Sequence, residues 1–216
     1  MAYDLEEQEQ IDELKAWWTQ YGNLVIAATT AALLSVAAFQ GWNYYKISRA
    51  VGAVTLYEQM GDAERAADHK KVRDIAAQIV DKYGPTPYAV IAALASAKAA
   101  FVSGDLAAAK GQLKWVIDNG REDEIKDVAR LRLAGVLLDE KAYDEGLKLL
   151  ETKPVESMSG LYADLKGDIL AAQGKHAEAR AAYQLALDKS EAGSSYRAMI
   201  QLKLDALGEA PPSAKS

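Results

Sequence analysis

The chain contains no cysteine. Disulfides, thiolate metal ligands and thiol nucleophiles are thereby excluded. Histidine is almost as scarce: only His69 and His176 occur. They are too few for a histidine metal site, and no H-E-x-x-H or comparable ligand spacing is present. The glycines are scattered at turns and helix crossings, so no Gly-rich phosphate loop forms. Ser194-Ser195 stand in a turn without a visible base. The carboxylates of Glu122-Asp123-Glu124 and Asp139-Glu140 read as helix-terminal charges and solvated faces. Nothing therefore points to an enzyme, and no catalytic residue, metal, cofactor or small-molecule substrate is expected. The net charge of −6 argues against nucleic acid, whose phosphates need clustered Lys and Arg.

The most informative absence is charge. None occurs between Lys15 and Lys46, where the chain reads AWWTQYGNLVIAATTAALLSVAAFQGWNYY. About 20 apolar residues span the hydrocarbon core as a helix. Trp17, Trp18 and Tyr21 stand at one end, and Trp42, Tyr44 and Tyr45 at the other. Aromatic rings at both ends suit two membrane–water interfaces. Ser35-Val36-Ala37 offers small residues at cleavage-like spacing, but a cleaved signal has a basic start and a short apolar core. Here Asp4, Glu6, Glu7, Glu9, Asp12 and Glu13 precede a single Lys15, so an uncleaved anchor is expected. Ala27, Ala31 and Ser35 recur every four residues, a spacing that permits close helix approach in a bilayer. Flanking charge is nearly balanced, with Lys15 before the run and Lys46 and Arg49 after it. By charge alone this slightly favours a cytoplasmic C-terminal domain.

Beyond the anchor, Ala, Leu, Lys, Glu and Asp dominate, which favours helix throughout. Ser48 to Met60 continues the helix outward, with Val51, Val54, Leu56, Tyr57 and Met60 as its apolar side, and Gly61-Asp62 reads as a break. Val72, Ile75, Ala76, Ile79, Val80 and Tyr83 make one helical stripe. Gly84-Pro85 stops it, and Thr86-Pro87 caps and starts the next helix, up to Val102.

Three helical hairpins turn at Ser103-Gly104-Asp105, Glu140-Lys141-Ala142 and Gly174-Lys175-His176. Aligning Gly104, Lys141 and Gly174 gives spacings of 37 and 33 residues, close to the tetratricopeptide period of about 34. Seven residues before each stands a small residue (Ala97, Ala134, Gly167) and five after each another (Ala109, Gly146, Ala179). Nine after come larger ones, Leu113, Leu150 and Tyr183. Small side chains let paired helices cross closely, and the larger ones fill the space between hairpins. Trp115, flanked by Leu113, Val116 and Ile117, reads as a core or inter-repeat residue. Tyr196, Met199, Ile200, Leu204 and Leu207 give the last helix one apolar side, which suits a cap on the end of a solenoid. The fold class expected is thus all-α: a single N-terminal transmembrane helix, then a tetratricopeptide-like α-solenoid with a C-terminal capping helix. The expected divisions are an acidic tail (1–20), the transmembrane helix (21–45), a juxtamembrane helix and linker (46–67), the repeat domain (68–207) and a disordered tail (208–216).

The acidic Glu6-Glu7-Gln8-Glu9, the single anchor and the restart Thr86-Pro87-Tyr88-Ala89 carry a resemblance. To them add Leu131-Arg132-Leu133-Ala134-Gly135-Val136-Leu137-Leu138, Lys141-Ala142-Tyr143-Asp144-Glu145-Gly146-Leu147 and Gly167-Asp168-Ile169-Leu170. In this order the chain resembles, over nearly its whole length, the bacterial YfgM-like family of ancillary Sec translocon subunits. The resemblance implies a single-pass inner-membrane protein with a cytoplasmic N-terminus and a periplasmic repeat domain. It also implies association with the Sec translocon and with a membrane-anchored chaperone of the peptidyl-prolyl isomerase type. A partner would bind the concave face, formed by the first helix of each pair. By register that face carries Lys98, Arg130, Arg132, Asp164 and Lys166. The alternatives are a self-assembling cell-envelope scaffold, or a cytoplasm-facing adaptor if the topology is reversed.

Overall fold

The uncharged run is helical from end to end. It lies within α1 (Ala2–Arg65), in a computed structural model that describes residues 2–84, 86–191 and 194–208, without the side chains of 2–9, 49 and 50. The acidic side chains before Gln10, Arg49, Pro85 and the tail beyond Gly208 therefore lie outside the described residues. The first compact unit ends at Val51. Within it Leu24, Ile26, Leu33, Leu34 and Phe39 all point outward. The helix is long and apolar enough to cross a membrane. From Tyr21 to Trp42 it rises about 32 Å, close to the ~30 Å hydrocarbon thickness. All six interface aromatics are exposed. Trp17 packs on Tyr21 at 5.8 Å and Trp42 on Tyr45 at 6.2 Å, with the Lys46 ammonium 5.6 Å from the Trp42 ring. The Thr19 and Ser35 hydroxyls donate to the carbonyls of Lys15 and Ala31, four residues back. That leaves neither hydroxyl unpaired in an apolar surround.

The second unit runs from Gly52. Helix α1 passes through Gly61-Asp62 without a break and ends at Arg65. A glycine inside a helix is only mildly unfavourable, and the burial of Met60 and Ala63 on either side outweighs it. The stretch expected as a linker thus contributes to the repeat core, against α2 (His69–Tyr83). Then follow α3 (Pro87–Val102), α4 (Leu106–Asn119), α5 (Asp123–Asp139), α6 (Tyr143–Leu150), a short 3-10 turn (Glu156–Met158), α7 (Ser159–Ala172), α8 (His176–Lys189) and α9 (Ser195–Ala206). The described residues form helices and connections only. Pro87 opens α3, but Thr86 does not cap it: its hydroxyl donates to the Tyr83 carbonyl instead.

Four turns share one geometry. Ala67, Gly104, Lys141 and Gly174 all have φ between 53° and 78°. The next amide in each case donates back to the helix: Asp68 to Ala63, Asp105 to Ala100, Ala142 to Leu137 and Lys175 to Leu170, all at 2.8–2.9 Å. This is the Schellman end of a helix. The structure therefore adds a hairpin at Ala67, preceding the three legible in the sequence. Its packing sizes are inverted: Met60 and Val72 stand where the other hairpins have small residues, and Ala76 where they have large ones.

Among the described residues the core is a series of four clusters rather than one mass. Val80 and Trp115 touch both the first cluster, around Ile79, and the second, around Leu133. Leu149 joins the second to the one around Ile169, and Leu147 joins that to the last, around Ile200. On α9, Ile200 is fully buried, whereas Met199, expected on the same side, is exposed. One residue's rotation turns it about 100° away from the stripe.

Candidate functional site

Helices α3 and α5 are the first members of adjacent hairpins, and an open groove of about 510 Å³ lies between them. Lys98, Phe101, Arg132, Gly135, Leu138 and Asp139 line it. Lys98 and Arg132 are exposed on its rim. Phe101 keeps 41% of its surface in solvent. Lys98 also borders a second depression of about 280 Å³, with Glu64, Arg65 and His69. The groove thus combines an apolar floor with a charged rim.

The five residues expected to bind a partner divide sharply. Lys98, Arg132 and Lys166 are exposed. Arg130 and Asp164 are engaged inside the fold, which corrects their assignment to a free face. The Arg130 guanidinium donates to the buried Asp127 carboxylate at 2.7 Å. Asp127 also accepts from the Val155 amide at 2.8 Å and from the Tyr162 hydroxyl at 3.2 Å. Burial, then the Asp127 charge, pushes the Tyr162 hydroxyl pKa up.

Asp164 is the centre of a second network, which fastens α9 to α7. The Lys203 ammonium lies 3.0 and 2.9 Å from its two oxygens and 2.8 Å from Asp168. The Tyr196 hydroxyl donates to Asp164 at 3.0 Å, and that of Tyr183 to Asp168 at 2.8 Å. Burial and then the neighbouring carboxylates raise both tyrosine pKa values. Burial opposes the charge on Lys203, yet hydrogen bonds to Asp168 and Asp164 outweigh it and raise its pKa. A lysine held cationic in this way is not a nucleophile. The network closes the solenoid and leaves Asp164 nothing to offer a ligand. Among the described residues, no group of His, Asp or Glu side chains converges as metal ligands.

The tetratricopeptide repeat-like domain family model matches residues 15–209. An ancillary SecYEG translocon subunit of Neisseria gonorrhoeae is 32% identical over 210 residues, covering 96% of this chain and all of the relative. Proteins of the same name from Haemophilus influenzae and Escherichia coli are 29% and 27% identical, covering 96% and 93% of this chain and 100% and 96% of each relative. The chain belongs to the ancillary SecYEG translocon subunit family. Its members carry a protein-interaction domain, and this chain is not an enzyme.

For a member of this family the small positions have a defined task. Ala97, Ala109, Ala134, Gly146, Gly167 and Ala179 are all buried. A Cβ on Gly146 would lie 3.1 Å from Ile169, and one on Gly167 only 2.5 Å from the Tyr183 ring. Of the six, Ala97 also lines the groove. Sequence reasoning did not single out Phe101, Gly135 or Leu138 as groove residues. The available signal was register: Lys98 and Gly135 each stand six positions before the left-handed residue of their turn, and Phe101 and Leu138 three before.

Proposed function

We propose that this chain is a non-enzymatic, membrane-anchored subunit that works beside the Sec translocon. In this reading α1 crosses the bacterial inner membrane with its N-terminus cytoplasmic, and the repeat domain stands in the periplasm. The domain links exported polypeptide to a membrane-anchored chaperone of the peptidyl-prolyl isomerase type. The observation that carries the reading is the match to ancillary translocon subunits over nearly the full length of both chains. The groove between α3 and α5, with Lys98 and Arg132 on its rim, supports binding on the concave face. Lys166, exposed on the first helix of the next pair, extends that face.

A reporter active only outside the cytoplasm, fused after Ser216, tests the orientation, and activity is expected. Co-purification from detergent extract tests the binding face. Reversing Lys98, Arg132 and Lys166 together is expected to reduce capture of translocon or chaperone components. Reversing exposed charges on α4 is expected to leave capture intact. A cytoplasmic reporter, or capture indifferent to the concave charges, refutes the reading.

A further inference from the structure

The groove between α3 and α5 contains a residue that packing does not explain. Gly135 lies in the middle of α5 and lines the groove, and a Cβ built on it meets no atom within 4 Å. It is not a close-crossing position like Gly167, and it is not at a turn. Glycine inside a helix is unfavourable relative to alanine. The space a side chain would occupy opens into the groove, directly across from Lys98 by register.

The groove is also polar along its length. Counted back from the left-handed residue of each turn, Arg132 stands nine positions before, Lys98 and Gly135 six, Phe101 and Leu138 three, and Asp139 two. The order is cationic, then open, then apolar, then acidic. From Arg132 to Asp139 the helix rises about 10 Å. An extended peptide covers that in about three residues.

We propose that this groove seats a short peptide segment in the polyproline II conformation, with an acidic and a basic residue three positions apart, and so on one side of the peptide, and apolar residues between them. The acidic side chain meets Arg132 and Lys98, the basic one meets Asp139, and the apolar ones lie on Phe101 and Leu138. The peptide backbone passes over Gly135, where any side chain would hold it off. This deepens the concave-face reading above and rests on it.

The test uses the full-length protein in detergent and fluorescent peptides containing Asp-Leu-Leu-Lys, with Asp-Ser-Ser-Lys and Lys-Leu-Leu-Lys as controls. Gly135→Ala and Gly111→Ala both replace an open helical glycine, so both are expected to raise the melting temperature by a few degrees. Only Gly135→Ala is expected to weaken Asp-Leu-Leu-Lys binding, by about five-fold, with Gly135→Leu weakening it about fifty-fold. Arg132→Glu weakens it about ten-fold, and both control peptides bind at least that much worse. A stabilised Gly135→Ala that binds as tightly as wild type overturns the proposal. So does equal binding of all three peptides, or binding of none. In those cases the concave-face reading stands if Lys98, Arg132 and Lys166 reversal still lowers partner capture, and falls if it does not.

Discussion

Replacing Gly167 by alanine sets two opposed effects against each other, and the structure decides between them. Gly167 lies within α7, where alanine is favoured over glycine by about 1 kcal/mol. A Cβ there would stand 2.5 Å from both Cδ1 and Cε1 of Tyr183. Ordinary carbon contacts lie near 3.5–4 Å, so the ring must retreat by about 1 Å. It has little room, because Tyr183 is only 3% exposed and its hydroxyl holds Asp168 at 2.8 Å. Overpacking of this kind costs about 1–3 kcal/mol, and weakening a hydrogen bond to a charged group about 1.5–3 kcal/mol. Less the alanine gain, the net loss is about 3 kcal/mol. For a domain of this size that lowers the melting temperature by about 6–12 °C. Thermal unfolding of the full chain in detergent, followed by far-ultraviolet circular dichroism, reads it. Combining Gly167→Ala with Tyr183→Leu should recover most of the alanine penalty, since the two sites share one contact. If Gly167→Ala instead stabilises the chain as Gly111→Ala does, the ring is not held and the close-crossing argument is wrong.

Asp164→Asn leaves the Lys203 ammonium with one carboxylate in a half-buried site and is expected to cost about 2–3 kcal/mol. Amide exchange should quicken in α9 while α3 and α4 keep their protection; uniform exchange would refute the fastening role. The raised pKa values of Tyr162, Tyr183, Tyr196 and Lys203, ordinarily 10.0 and 10.5, mean that folding favours their protonated forms. Their contribution is complete below pH 10 and is lost as pH rises through the folded values. Helicity should therefore hold at neutral pH and fall in an alkaline titration, with the phenolate absorbance of Tyr162, Tyr183 and Tyr196 appearing late and together with unfolding. Lys141→Gly should stabilise by about 1 kcal/mol, because φ of 61° strains any side-chain-bearing residue; a lower urea midpoint would count against it.

The three later hairpins were legible because each repeats a small–turn–small–large order at fixed register, and that order follows from how closely two helices cross. The hairpin at Ala67 was not, because Met60, Val72 and Ala76 exchange sizes and its left-handed residue is an alanine. Complementary volumes can be distributed either way between two faces, and one sequence does not say which. The site divided along the same line. Lys98 and Arg132 were legible as outward charges on first helices. Asp164 carries the same pattern, yet Lys203, 39 residues on, reaches it. Periodicity places a residue on a face of its own helix, but it does not report what a later helix lays across that face. Gly135 escaped notice because an open glycine and a crossing glycine look alike until their surroundings are known.

Helix α6 has only eight residues, yet it supplies both Leu147 and Leu149, the side chains that join the clusters on either side of it. Helix α5 also reaches α7 directly, since the Tyr162 hydroxyl donates to Asp127 and Ala134 shares a cluster with Tyr162 and Ile169. The middle of the stack is thus joined twice, once through α6 and once past it. Truncating Leu147 or Leu149 alone would loosen one seam and leave the other holding the two ends of the domain together.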